Sequence, residues 1–278
     1  MIFNGFHNIM EVFMTHRNWK MTTFAAGLLT LTGLSAAEPV TTPVEWVKHP
    51  RVKAAPDGVL TLTGKRTDLA GKAFKLDPDK TYRFRMEIRR TPGAAPAKCY
   101  IGNWSIKDGV KMQPQQVMAA RQTESVLTAE AKAGDKVITI KRPKMWAANF
   151  KTKRWGVVFD ARDGLADLPN PTYNAIQAAE AGKDTVKLTL AAPLKKDYPA
   201  GTATRFHSSG DGMYGGWKGK AVPEEWTPVE WEVCGISESG NLVSKWWHGA
   251  DAGALRINAN FDQESSLEVR NATITVQD

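Results

Sequence analysis

The chain has 278 residues, 42% of them hydrophobic, and a formal net charge of +8. A chain of this length and composition can form a buried core for one large or two small domains. The class of chains that are too polar to fold is therefore excluded. The positive charge is moderate and spread along the sequence, so it favours anionic partners only weakly.

The N-terminal segment, residues 1–37, has the pattern of a secretory signal. Arg17 and Lys20 precede the apolar run MTTFAAGLLTLTGL, and Ser35 and Ala37 occupy positions −3 and −1 of a cleavage site. A membrane span needs about 18 or more apolar residues, which this run does not reach. We therefore predict a secreted, periplasmic or cell-surface protein without a membrane span. A buried N-terminal helix is the alternative.

Short segments of alternating apolar and polar residues dominate the rest of the chain. The clearest is KTYRFRMEIRR (80–90), in which charged side chains occupy one face and apolar side chains the other, namely Tyr82, Phe84, Met86 and Ile88. Such alternation predicts an antiparallel strand with one buried face. The segments VEWEVCGI, ALRINANF and SSLEVRNATITVQD repeat the pattern with turn residues between them. Together these segments predict an all-β sandwich or jelly roll.

The middle of the chain, residues 124–206, has a different composition. Aromatic residues become rarer, and AEAKAGDKVITIK and AEAGKDTVKLTL each combine an Ala-Gly turn, an Asp and a short alternating strand. Surface loops accept insertions at little thermodynamic cost. We predict a small β domain inserted in a loop of a sandwich that is formed by residues 38–123 and 207–278. One continuous large sandwich is the alternative.

Cys99 and Cys234 are the only two cysteines, and export would permit a disulfide between them. In KCYIG, Cys99 shares a face with Ile101, whereas in VEWEVCG, Cys234 shares a face with Glu230 and Glu232. One thiol is therefore expected to be buried and the other exposed, which argues against a bridge without excluding it.

The order of these strands resembles that of galactose-binding-like β-sandwiches. The segment YRFRMEIR is followed by WTPVEWEV, then by WWHGADAGALRINANF and SLEVRNATITV, so that the resemblance covers about residues 44–123 and 207–278. These jelly rolls serve as carbohydrate-binding modules of secreted glycan-degrading enzymes. The resemblance implies non-catalytic binding of a polysaccharide or of a glycoprotein glycan. Such modules often carry a structural calcium, whose ligands this sequence does not reveal.

Exposed aromatic rings are the main candidates for sugar contact, because the flat C–H faces of sugars stack on rings while their hydroxyls need polar partners. Alternation in NLVSKWWHG assigns Trp246 to the core and Trp247 to the outer face. In KCYIGNW it turns Tyr100 and Trp104 outward. The Gly-rich segment HSSGDGMYGGWKG (207–219) predicts a mobile loop with two more rings. The predicted binding residues are Trp247, Trp104, Tyr100, Tyr214, Trp217 and Arg85, and no catalytic or metal-binding residue is predicted.

The basic stretch KRPKMWAANFKTKRW (141–155) interleaves six cations with three aromatic rings. In an exported protein this pattern favours an anionic glycan over nucleic acid as the partner. A solvated hairpin with ordinary packing rings explains the same pattern, because charged runs are commonly just exposed surface.

An enzyme is the main functional alternative. The segment RMEIR (85–89) is similar to a strand of jelly-roll polysaccharide lyases that neutralises a uronate carboxylate, and His207 with Tyr214 would supply a base and an acid. The companion Lys-rich strand of those lyases is missing. Cross-strand pairing of Arg83 and Arg85 with Glu230 and Glu232 accounts for the charges of this strand without catalysis. A glycoside hydrolase and a structural or adhesive module stay open as further alternatives.

Familiar catalytic and metal-binding motifs are missing from the sequence. It holds no nucleophile elbow, P-loop or zinc spacing. The acidic segment DARDGLAD (160–167) lacks the alternating spacing of a calcium loop, and it predicts a polar turn.

Overall fold

The computed structural model of the protein describes residues 38–146, 154–210, 212–238 and 243–278. The predicted secretory signal and residues 147–153 of the basic stretch lie outside these ranges. Within them the protein is nearly all β, with one short helix, α1 (Pro114–Val117), and one 3-10 turn (Asp163–Leu165). The predicted all-β class is confirmed. No helix in the described ranges has the length and apolar character needed to cross a membrane.

The strands of the described ranges are, in chain order, β1 (Val40–Pro43), β2 (Val52–Ala54), β3 (Leu60–Thr63), β4 (Thr67–Ala70), β5 (Phe74–Lys75), β6 (Thr81–Arg90), β7 (Lys98–Lys107), β8 (Val110–Lys111), β9 (Ser125–Val126), β10 (Val137–Lys141), β11 (Trp155–Phe159), β12 (Asn174–Ala181), β13 (Thr185–Leu190), β14 (Ala203–Ser208), β15 (Trp217–Ala221), β16 (Thr227–Cys234), β17 (Ala252–Ala259) and β18 (Ser266–Gln277). They form three antiparallel sheets.

The back sheet has the strand order β16-β6-β18-β3-β2, and β1 pairs with β18. The alternation predicted for its two best-defined strands is confirmed, since their apolar side chains are buried: Tyr82, Phe84, Met86 and Ile88 on β6, and Val229, Trp231 and Val233 on β16. The predicted cross-strand charge pairing is confirmed as well. Arg83 lies opposite Glu232, and Arg85 lies opposite Glu230. The outer face of this sheet is therefore a charged, solvent-facing surface.

The front sheet has the strand order β15-β7-β17-β4, with β5 paired to β17 and β8 paired to β7. Its inner residues, such as Ile101 and Leu255, belong to the same buried cluster as Phe84 and Trp231 of the back sheet. Two sheets that share one core between their inner faces form a sandwich-like arrangement.

The two cysteines are free, as their alternation in the strands predicted. Cys99 lies in the shared core, where burial raises the pKa of its thiol to about 12. Cys234 is exposed at the end of β16.

The third sheet has the strand order β10-β13-β12-β11-β14-β9. All its strands lie between Ser125 and Ser208, and its buried cluster runs from Leu127 to Phe206, with no residue from the front or back sheet. This is the segment in which composition predicted an inserted domain. Independent folding of the segment stays a prediction.

Candidate functional site

The outer face of the front sheet carries the predicted rings of β7. Tyr100 and Trp104 point away from the core residues Cys99 and Ile101, as alternation predicted. On the neighbouring strand β17, Arg256 lies opposite Gly102, two residues from each ring. Residues paired across two strands share a face of the sheet. Arg256 therefore stands on the same face, between Tyr100 and Trp104.

Gly102 allows the segment before β15 to cross this face. A Cβ atom at Gly102 would lie 1.8 Å from the carbonyl oxygen of Met213, so any larger residue would displace the chain there. The backbone N–H of Asn103 donates to the same carbonyl at 3.0 Å. This close approach brings Tyr214 over the front sheet, where its ring centroid lies 5.1 Å from that of Tyr100.

Arg256 is held in a fixed orientation. Its Nε and Nη2 donate to the two carboxylate oxygens of Asp68 on β4, at 2.9 and 3.3 Å, and its Nη1 donates to the Tyr214 hydroxyl at 2.9 Å. Its guanidinium carbon lies 5.0 Å from the centroid of the Trp104 ring. A forked guanidinium held by a carboxylate and packed on an aromatic ring is rigid enough to orient a ligand.

Lys111 on β8 completes the group. Its Nζ lies 3.9 Å from the centroid of the Trp104 ring. Partial burial, and secondly the positive charge of Arg256, lower the pKa of Lys111 to about 8, while Asp68 acts in the opposite direction. No carboxylate of the described residues forms an ion pair with Lys111.

These residues surround a cavity of about 300 Å³, which we call the ring cleft. It is lined by Asn103, Trp104, Lys111, Met112, Gln113, Pro114, Gln115, Ser209, Gly210, Gly212, Met213, Tyr214, Trp247 and Arg256. A second cavity of about 520 Å³ shares Gly212 and Tyr214 with it and extends to Tyr100, Lys218, Gly219 and Phe261. The two cavities are neighbours, and Tyr214 borders both of them.

Two buried indole N–H groups stand at the ring cleft without a partner. The Nε1 atoms of Trp104 and Trp247 have no hydrogen bond among the described residues, and both rings line the cavity. Buried donors are nearly always satisfied, so these two nitrogens are among the exceptions. They are buried beneath the cleft surface and do not themselves indicate a ligand.

Trp247 corrects the sequence-based prediction. It was expected on the outer face, but only 4% of it is exposed, while Trp246 is fully buried as predicted. The segment that holds both rings forms turns and one isolated bridge, from Ile236 to Trp246, so the alternation of a strand does not apply to it. Trp247 is therefore part of the cleft wall and not an exposed stacking platform.

Trp217 and Arg85 are not brought together with the other predicted residues. Trp217 lies in a strand, β15, and not in a mobile loop. It pairs with Ile101 and packs against the core, and its Nε1 donates to the carbonyl oxygen of Lys220 at 2.9 Å. Arg85 is on the outer face of the back sheet, with 69% of its side chain exposed and Glu230 at 4.0 Å.

The described part of the basic stretch borders a separate cavity on the third sheet. This cavity has a volume of about 590 Å³. Four cationic side chains line it, those of Lys141, Arg142, Lys144 and Arg162. The acidic residues Glu124 and Asp163 and several small residues complete the lining. The rings of Trp146 and Trp155 pack against the core of the third sheet. These two rings therefore serve packing, while Lys141, Arg142 and Lys144 line the cavity.

The two residues of the lyase alternative, His207 and Tyr214, are both engaged by other side chains or backbone groups. His207 is fully buried. Its Nδ1 bonds the carbonyl oxygen of Gln115 at 2.8 Å, and its Nε2 accepts a hydrogen bond from Nε of Arg205 at 3.2 Å. Burial lowers the pKa of His207 to about 4. The geometry thus gives His207 a structural place, while Tyr214 is held by Arg256.

Asp167 anchors the same buried network. Its carboxylate accepts hydrogen bonds from Asn170, from the backbone of Arg162 and from Arg205, the last at 2.7 Å. Burial alone would raise the pKa of Asp167, but these hydrogen bonds outweigh it and lower the pKa. The predicted polar turn of DARDGLAD thus ends in a structural carboxylate. No group of three or more His, Cys, Asp or Glu residues in the described ranges is placed to hold a metal ion.

Sequence reasoning missed Asp68, Lys111 and the central place of Arg256. A signal existed for Arg256, which is the one charged residue in the alternating segment ALRINANF. Fold and site together describe an all-β, sandwich-like protein with a ring-lined cleft on one sheet. Comparison of the sequence with protein-family models and with curated proteins finds no match.

Proposed function

We propose that the protein is an exported, non-catalytic carbohydrate-binding protein and that the ring cleft is its site. In this proposal the front and back sheets form a jelly roll of the galactose-binding-like type. The third sheet, approximately residues 124–206, is a domain inserted in one of its loops.

One observation carries the proposal, namely that polar side chains and aromatic rings line one cleft. Arg256, Lys111 and Gln113 line the cleft next to Trp104 and Tyr214. Sugar recognition requires this combination, since hydroxyls need directed polar partners and C–H faces need rings. The neighbouring cavity adds the rings of Tyr100 and Phe261, whose centroids lie 5.0 Å apart. In this proposal it would hold a second sugar residue.

A glycan array with residues 38–278, followed by titration calorimetry on the best ligand, tests the proposal. We expect saturable binding without product release. Tyr214→Ala should weaken this binding about 5- to 100-fold, by analogy with the loss of a stacked base. Arg85→Ala is the control, because the structure places Arg85 on the opposite sheet, and it should leave the affinity unchanged.

Other outcomes favour the alternatives. New reducing ends or unsaturated uronates released from a polysaccharide would indicate a hydrolase or a lyase. Silence on the array would favour a structural or adhesive role. If Arg85→Ala weakened binding and Tyr214→Ala did not, the site would lie on the back sheet and the ring cleft would be the wrong assignment.

A further inference from the structure

We propose that the ring cleft selects sugars that carry a carboxylate, and that Lys111 and Arg256 together bind this carboxylate. The inference rests on the proposed carbohydrate binding and names the class of ligand.

The charges of the described residues at the cleft are unbalanced. Arg256 and Lys111 bring two positive charges, and Asp68 compensates only one of them, through Nε and Nη2 of Arg256. No Asp or Glu of the described residues lines the cavity itself. A half-buried ammonium without a counter-ion is unfavourable, because burial removes solvation and nothing replaces it. One ligand carboxylate would restore the balance.

The available hydrogen-bonding groups are mainly donors. A guanidinium has five N–H groups, and three hydrogen bonds from Arg256 are accounted for by Asp68 and Tyr214. One N–H on each terminal nitrogen is left for a ligand. The ammonium of Lys111, whose residue also lines the cleft, adds further donors. A carboxylate, which only accepts hydrogen bonds, suits this set better than a hydroxyl does.

Lys111 provides a second readout. The charged groups that act on it are Arg256 on β17 and Asp68 on β4, and its pKa of about 8 leaves a large fraction of the amine neutral at pH 8. An anion bound beside it favours the charged form, so binding at pH 8 should take up a fraction of a proton. A neutral sugar should cause little uptake.

The test uses uronate-bearing oligosaccharides and the same oligosaccharides after reduction of their carboxyl groups. We expect reduction to weaken binding about 10-fold or more, as for the loss of a charge-assisted contact in a partly desolvated site. Calorimetry at pH 8 in two buffers of different ionisation enthalpy should show proton uptake for the acidic ligand alone.

Variants of Lys111 test whether this residue causes the preference for the acidic ligand. Lys111→Met should weaken binding of the acidic ligand about 10-fold and abolish the proton uptake, while binding of the reduced ligand changes little. Lys111→Arg keeps the charge and should retain the preference. Lys187→Met, on the exposed face of β13 in the third sheet, is the control and should behave as the unaltered protein. Thermal melts of each variant separate loss of binding from loss of fold.

Failure of the carboxylate inference can be distinguished from failure of the proposed carbohydrate binding. Equal affinity for the acidic and the reduced ligand would overturn the carboxylate inference and leave carbohydrate binding intact. No binding to any glycan, acidic or neutral, would overturn both proposals.

Discussion

The neighbouring tryptophans Trp246 and Trp247 are both buried, but they make different contacts. Trp246 packs edge-on against Tyr82 and Phe74, with ring centroids 5.5 and 6.0 Å apart. Trp247 lines the ring cleft, and its backbone N–H donates to the Ser105 hydroxyl at 3.0 Å. The ring of Trp246 thus stabilises the core, while the ring of Trp247 forms part of the wall of the ring cleft.

Truncation of either ring should destabilise the protein. Trp246→Ala and Trp247→Ala remove large buried side chains, so each should lower the free energy of unfolding by about 3–5 kcal/mol. Urea denaturation measures both. Val110→Ala, at an exposed position, is the control and should change stability by about 0.5 kcal/mol or less. A similarly small effect of Trp247→Ala would show that its ring is exposed in solution.

Alternation predicted the direction of Tyr100 and Trp104 and failed for Trp247, and the physical reason is local. In β7 the backbone is extended, so successive side chains alternate. The chain around Trp247 forms turns, where no such rule holds, and the sequence SKWWHG offers no separate signal for this difference. Arg256 could be assigned to the outer face from its strand, but its partner Asp68 could not. The four residues of β4 are too few to reveal a period.

His207 predicts a pH dependence of stability. Its pKa falls from an ordinary value of 6.5 to about 4 in the folded protein because it is buried. Between these values the unfolded chain binds more protons than the folded protein. Stability is therefore fully present above about pH 6.5 and is lost as the pH falls towards 4, by about 3 kcal/mol.

Urea denaturation at several pH values between 7 and 4 measures this loss. His207→Gln, which keeps a donor and an acceptor, should be less stable at pH 7 and should show a flatter dependence over the same range. An unchanged slope in His207→Gln would assign the loss to other groups.

At the scale of elements, β14 joins the third sheet to the rest of the molecule. The backbone N–H of Ala120 donates to the carbonyl oxygen of Phe206 at 2.9 Å, and that of Ser208 donates to the carbonyl oxygen of Met118 at 2.9 Å. Composition ends the predicted insert at 206, whereas β14 continues to Ser208. The alternation in ATRFHS, the sequence of β14, gives no signal for the position at which this strand changes its pairing partners.

Removal of the third sheet tests whether it is a separate domain. Replacement of residues 124–206 by a short Gly/Ser linker should leave a protein that still unfolds cooperatively, because the core of the front and back sheets holds no residue of this segment. We expect a lower melting temperature, since His207 loses Arg205. A broad, non-cooperative melt would indicate one continuous core instead.

For the whole molecule, export is the remaining sequence-based prediction. The pattern before Glu38 predicts cleavage after Ala37, so N-terminal sequencing of the protein from the medium or periplasm should begin at Glu38 or within a few residues of it. Detection of Met1 or Met14 at the N-terminus of the mature protein would contradict the prediction.

The contact between His207 and Gln115 has a consequence for the molecule as a whole. The carbonyl oxygen of Gln115 holds the imidazole, and Gln115 also lines the ring cleft. In the proposed site, a ligand that contacts Gln115 would favour the folded form in which His207 is neutral. Thermodynamic linkage is reciprocal, so acid that charges His207 would weaken ligand binding to the same extent.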